Sequence, residues 1–195
     1  MPVVAFKDAD AWLTWLKKAH ASSPGVRIKF AKKHTKRASV SYAQAVEGAL
    51  CWGWIDGQAS PFDADHWLVR FTPRGPRSVW SKINRNRALA LIASDAMQAP
   101  GLAEIERAKQ SGRWDAAYDS PRTATVPDDL TAALAKNRAA RAFFETLNAA
   151  NRYAILWRLQ TAKLPETRAR RLTQFIAMLE RQETLHPQAR PRKAT

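Results

Sequence analysis

The sequence predicts an α+β protein: a small antiparallel sheet with helices, followed by a helical C-terminal region. Three observations carry this. Two stretches alternate with a period of two: Val26, Ile28 and Phe30 against Arg27 and Lys29, and Trp67, Val69 and Phe71 against His66, Leu68 and Arg70. Before Pro24 and after Val126 the apolar residues recur instead at helical spacing. Breaks at Pro24-Gly25, Pro73, Gly75-Pro76 and Pro100-Gly101 separate the segments.

Taken in order, Phe6 to His20 reads as an amphipathic helix capped by Asp8 or Asp10, with Trp12, Leu13, Leu16 and Ala19 on its apolar face. Val26 to Phe30 is a strand with one basic face, and Lys32, Lys33, Lys36 and Arg37 extend the charge into a loop. Ser41 opens a second helix, and Gln44 three residues on completes a capping-box pattern. Tyr42, Ala45, Val46, Ala49 and Leu50 supply its inward face. Trp52 to Ala59 and His66 to Thr72 read as strands joined through a turn at Ser60 to Asp65, close enough in sequence to form a hairpin. Ser78 or Ser81 caps a helix through about Ser94, with Ile83, Leu91 and Ile92 inward, and Leu102 to about Ser111 forms another, stopped by Gly112.

A connector from Trp114 through Pro127 is the best domain boundary, because the pattern beyond it is purely helical. Short helices are expected over Asp128 to Lys136 and Arg138 to Leu147. A third is capped by Asn148 and carries Tyr153, Leu156 and Trp157, and a last one is opened by Pro165. The expected organisation is therefore residues 1–120 as the α+β domain, 121–185 as a helical domain and 186–195 as a basic, mobile tail.

The 195 residues suffice to bury a core, and an apolar fraction of 46% excludes wholesale disorder. One cysteine permits no intrachain disulfide. Two aspartates stand where a signal peptide would carry an apolar run, and no apolar stretch reaches 18 residues. The expected location is cytoplasmic, with no membrane span.

The net charge of +15 is uneven: residues 1–50 contribute +6 and residues 151–195 contribute +7. Such a balance favours nucleic acid or another polyanion through phosphate contacts and counterion release; the alternative is a basic surface that serves solubility alone.

Dinucleotide and Walker fingerprints, the nucleophile elbow and paired-cysteine metal spacing are all absent. Asp63, Asp65 and His66 offer metal donors, but no second cluster accompanies them and the stretch reads as a polar turn. No metal and no cofactor is implied. Cys51 could be a nucleophile, but it ends an apolar helix and precedes Trp52, where a small buried thiol fits as well and burial would make it inert. The densest candidate is Arg70, Arg74, Arg77, Trp80, Lys82 and Asn84, helped by Lys32, Lys33, Lys36 and Arg37. Guanidinium forks suit phosphate or carboxylate, and arginines ahead of a helix start oppose the helix dipole, a conflict that a bound anion relieves. The alternative is that these arginines pair with Asp56, Asp63 and Asp65. Of the tryptophans, Trp12, Trp52 or Trp54, and Trp67 are expected in the core, and Trp80 is expected to be presented to solvent.

The strings HASSPGVRIKFAKK, SYAQAVEGALCWGWIDGQ, RFTPRGPRSVWSKIN, GRWDAAYDS and NRYAILWRLQTAKLPETRARR together resemble the bacterial YdeI/OmpD-associated, bacteriocin-protection-like family, from about Phe6 to about Glu183. The resemblance implies a helical C-terminal domain from about Val126 and a role in resistance to bacteriocins or cationic peptides with association to a porin. It implies no catalytic residues. Three readings follow: a non-enzymatic binding protein for an anionic partner, most plausibly nucleic acid; an enzyme acting on a small anionic ligand with Asp56 or His66 as acid-base group; and a stress protein acting through protein partners.

Overall fold

A computed structural model describes residues 1–188. Its contacts divide the chain after Ala117 into two compact units.

The first unit opens with a two-residue strand, β1 (Val3–Val4), that the periodicity does not reveal because two residues carry no period. Helix α1 (Ala9–Ala19) follows, with the Asp8 carboxylate accepting from the N–H of Ala11 at 2.8 Å. Strand β2 (Val26–Ala31) leads through a short 3-10 turn at Lys33–Thr35 to helix α2 (Tyr42–Cys51). The capping box at Ser41 and Gln44 forms as the sequence predicts. Gly53, with φ of 72°, sits just past the α2 C-cap and reverses the chain into β3 (Trp54–Pro61). The hairpin with β4 (His66–Pro73) forms, two residues later at its first strand than expected.

The sheet order is β1-β2-β4-β3. The β2–β4 and β3–β4 pairings are antiparallel, whereas β1 runs parallel to β2, so one short edge departs from the all-antiparallel expectation. Pairing places Val26 opposite Phe71, Ile28 opposite Val69 and Phe30 opposite Trp67. This inner face packs with Trp12, Leu16, Val46, Leu50 and Trp54 into one core. The buried indoles keep their hydrogen bonds: Trp12 donates to the Ala45 carbonyl and Trp54 to that of His20.

Helices α3 (Lys82–Ala93) and α4 (Ala99–Gln110) complete the unit. Ser81, not Ser78, caps α3. Ile83 and Ile92, expected inward, are exposed; α3 instead buries Ala88 and half-buries Leu91 against the core of the unit.

The second unit contains α5 (Asp128–Ala135), α6 (Arg138–Glu145), α7 (Ala149–Gln160) and α8 (Pro165–Glu180). Leu130, Phe144, Ile155, Leu159, Phe175 and Leu179 form its core. Arg168 ties three of the helices. Its Nε and one terminal nitrogen donate to the two Asp129 oxygens at 2.7 and 2.9 Å, and the other donates to the Leu159 carbonyl at 2.7 Å. The start of the expected tail is anchored instead of free: the His186 N–H donates to buried Asn151, and Gln188 bonds Asn148 and Thr146. The rest of that tail, residues 189–195, lies outside the described residues.

Candidate functional site

The outer sheet face is built by the same alternation that fills the core. If Val26, Ile28 and Phe30 point inward, Arg27, Lys29 and Ala31 must point outward. On β4 the outward set is His66, Leu68, Arg70 and Thr72. Antiparallel register then sets Arg27 directly opposite Arg70, and Lys29 opposite Leu68. Arg27 and Arg70 are both exposed. None of Arg27, Lys29 and Arg70 lies within ion-pair distance of a carboxylate among the described residues.

Like charges directly opposite on adjacent strands oppose pairing. Here the neighbouring strand lowers the crowding: Arg70 lies across Gly57, where a Cβ would come within 3.2 Å of its Nε. A bulge between Asp56 and Ala59 puts Gly57 at that place. Phe62, just past β3, is 51% exposed, and the Lys29 ammonium stands 5.7 Å from its ring centre. Leu68 is buried yet lies outside the core cluster, on the outward face beside Lys29.

The structure separates the residues the sequence singled out. Lys32, Lys33, Lys36 and Arg37 sit at the His66 end of β4, and Arg74, Arg77, Trp80 and Lys82 follow its Pro73 end. Eight residues of strand put these ends about 23 Å apart. Within the first group, Lys32 donates to the Asp63 and Ala64 carbonyls at 2.9 Å, clamping the hairpin turn, and Arg37 pairs with Asp65 at 3.4 Å. Lys33 and Lys36 are exposed.

In the second group two expectations are corrected. Trp80 is buried, not presented, because its indole packs edge-to-face on Trp114 at 4.9 Å. Arg74 is also buried: its guanidinium stacks 3.7 Å over the Trp80 ring and donates to the Val79 carbonyl. This pair knits the β4–α3 connector and is removed from any surface ligand. Asn84 serves the α3 start through its backbone N–H, which donates to Ser81 Oγ at 3.1 Å, while Arg77 and Lys82 remain exposed. Arg70 does not pair with Asp56, Asp63 or Asp65, since each has another neighbour: Tyr42, His66 and Arg37 respectively.

Asp56 and His66 do not meet. Asp56 pairs with Phe71 on the inner face, where the Tyr42 hydroxyl donates to it; His66 lies on the outer face, five residues or about 17 Å along β4. Although desolvation opposes it, hydrogen bonds from the His66 ring and from the Asp65 and His66 N–H groups hold the Asp63 carboxyl below its usual value. That arrangement caps a turn. A cleft of about 450 Å³ in the same unit is lined by Leu13, Lys17, Glu47, Cys51, Trp52 and Leu91, and includes neither acid-base candidate. Burial, then the Glu47 charge, pushes the Cys51 thiol up to about 11, so it stays protonated at neutral pH. Among the described residues no group of three or more metal-ligating side chains converges, and no helix is long and apolar enough to cross a membrane.

The alternating basic residues Arg27 and Lys29 were visible as a pattern, but their meeting with Arg70 depends on strand order, and Phe62 carried no periodic signal. The first unit is an α+β domain whose sheet carries Arg27, Lys29 and Arg70 on its outward face, with Arg27 and Arg70 exposed. The second unit is a four-helix domain. Residues 4–104 match the family described as a domain of unknown function (DUF8412), and residues 123–182 match the family described as bacteriocin-protection, YdeI or OmpD-associated. The chain belongs to the DUF8412 family, whose match spans more than half of it, and carries a YdeI/OmpD-associated domain. Comparison with curated proteins and with solved structures returns no match.

Proposed function

We propose that the protein is a non-enzymatic binding protein for a polyanion, nucleic acid above all, and that the outer sheet face of the first unit makes the contact. The observation that carries this reading is the Arg27–Arg70 pair. Two exposed guanidinium groups stand opposite each other, with Lys29 two residues along β2, and among the described residues no carboxylate lies within ion-pair distance of them. A phosphate between them converts repulsion into two charge-assisted contacts. The net charge of +15 adds long-range attraction for the same class of ligand. Contacts of this kind position a backbone and carry little sequence choice.

The family description speaks of bacteriocin protection. In this chain such a role would run through the polyanion, because a charge of +15 repels cationic peptides.

Fluorescence anisotropy of a labelled oligonucleotide, titrated across salt concentrations, tests the reading. Binding is expected with a steep negative salt slope. Replacing Arg27 and Arg70 together by alanine is expected to cut the slope by roughly 0.7 to 0.9, the contribution of the one phosphate that the variant no longer engages. A double variant with the wild-type slope would move the ligand elsewhere on the molecule. No binding at low salt would end the reading.

A further inference from the structure

Resting on that reading, we infer that the outer sheet face takes single-stranded rather than duplex nucleic acid, with Phe62 as a stacking platform for one base. The inference joins three features of one surface.

The first is the aromatic ring. A single exposed phenylalanine is ordinary on a protein surface. Phe62 differs in its company: the Lys29 ammonium lies over one face of the ring, 5.7 Å from its centre, so that a base would stack on the opposite face, and Arg27 and Arg70 form the next outward position along the strands. Two residues of strand advance about 7 Å, so ring and cations form a short row. An aromatic face beside cations is the combination that holds a base and its neighbouring phosphates, and it accepts any base because each has a π-face. In a duplex the bases are stacked on one another and offer no free face.

The second is shape. The β3 positions nearest the row, Gly57 and Ser60, are small, as is Thr72 on β4, while Leu68 and Ile55 add apolar surface to the same face. A four-stranded face spans about 14 Å between its outer strands. The major groove of duplex DNA is about 12 Å wide and admits a helix or a two-stranded ribbon. This face is too broad to enter it, yet it is open to an extended strand.

The third is charge placement. Arg27, Lys29 and Arg70 lie on one side of the ring along the strand direction, with no carboxylate among the outward strand positions, while on its other side the hairpin-turn carboxylates Asp63 and Asp65 are held by His66 and Arg37. A strand laid along β2 and β4 therefore meets the ring and then the guanidinium pair.

The test uses the full chain and four ligands at one salt concentration: a labelled single-stranded DNA, the RNA of the same sequence, the DNA duplex, and heparin as a polyanion without bases. The single strands are expected to bind at least tenfold more tightly than the duplex, and the RNA-to-DNA ratio shows whether the 2′-hydroxyl contributes. Phe62→Ala is expected to weaken single-strand binding about tenfold and leave heparin binding unchanged, whereas Phe62→Trp retains it. Circular dichroism melting checks that Phe62→Ala folds as the wild type does. Equal or tighter duplex binding, or a Phe62→Ala loss as large for heparin as for the single strand, would overturn the inference. Retained sensitivity to Arg27 and Arg70 would then leave the polyanion reading standing. Absence of binding to all four ligands would remove both.

Discussion

The two units are both rich in arginine and use it in opposite ways. In the second unit most guanidinium groups are spent on the fold, although Arg122, Arg138 and Arg170 are exposed. Arg168 holds Asp129 and the Leu159 carbonyl, Arg171 donates to the Arg158 carbonyl at 2.6 Å, and Arg152 stacks on Phe144 while donating to its carbonyl. Arg141 and Arg181 pair with Glu145 and Glu183. In the first unit Arg27 and Arg70 face each other and solvent. Formal charge is therefore a poor guide to charge that a ligand can reach. What decides is whether a carbonyl or carboxylate lies within a side chain's length, and that is a property of packing.

The contrast fails first inside the first unit, at Arg74, which behaves like an arginine of the second. Arg74→Ala removes a buried cation–π contact with Trp80 and a charged hydrogen bond to Val79. It is expected to destabilise by roughly 3 kcal/mol in urea denaturation, with polyanion affinity little changed. A large affinity loss without loss of stability would return Arg74 to the binding surface.

Arg168→Ala comes next. Without the two-oxygen grip on Asp129 and the bond to the α7 end, the protein is expected to be less stable by about 2 kcal/mol, again with no effect on ligand affinity. The Arg27→Ala, Arg70→Ala double variant should do the reverse. Affinity at low salt falls about tenfold or more, while the melting temperature holds or rises slightly because a like-charge pair has gone. Opposite signs in the two assays would strengthen the distinction between the units; a marked drop in melting temperature would erase it.

The smallest effect is in pH. Hydrogen bonds from Arg168, against a smaller desolvation cost, hold the Asp129 carboxyl below its ordinary value. Its contribution is therefore complete above the unfolded-state value of about 3.9 and is lost as pH falls through that value toward the folded one. Acid titration of wild type against Arg168→Ala should show the two stabilities converging below about pH 4. A difference that persists undiminished in acid would place the Arg168 contribution in the Leu159 contact alone.

The elements themselves were legible because local rules govern them. The capping box at Ser41, the asparagine cap at Asn148 and the proline start at Pro165 all stand where the spacing put them. The face of α3 was not legible. Ile83 and Ile92 read as inward because they are apolar, yet the helix packs through Ala88 and leaves both of them exposed. Trp80 misled for a related reason. Its arginine neighbours suggested a surface, but a guanidinium and an indole stack as readily inside a connector as at an interface.

Strand alternation alone determined that Arg27, Lys29 and Arg70 leave the core, since a period of two sends every second side chain to the other face. Composition alone determined the sign of the charge. Only the tertiary structure decided which cations meet. The central place of β4 and the register Arg27 to Arg70 come from pairing β2 with β4, residues 35 positions apart at Ala31 and His66 and 45 at Val26 and Phe71, and the turn after β3 sets Phe62 beside Lys29. Such pairings are chosen by how well two apolar faces close over the helices, an interaction that no local stretch of sequence contains.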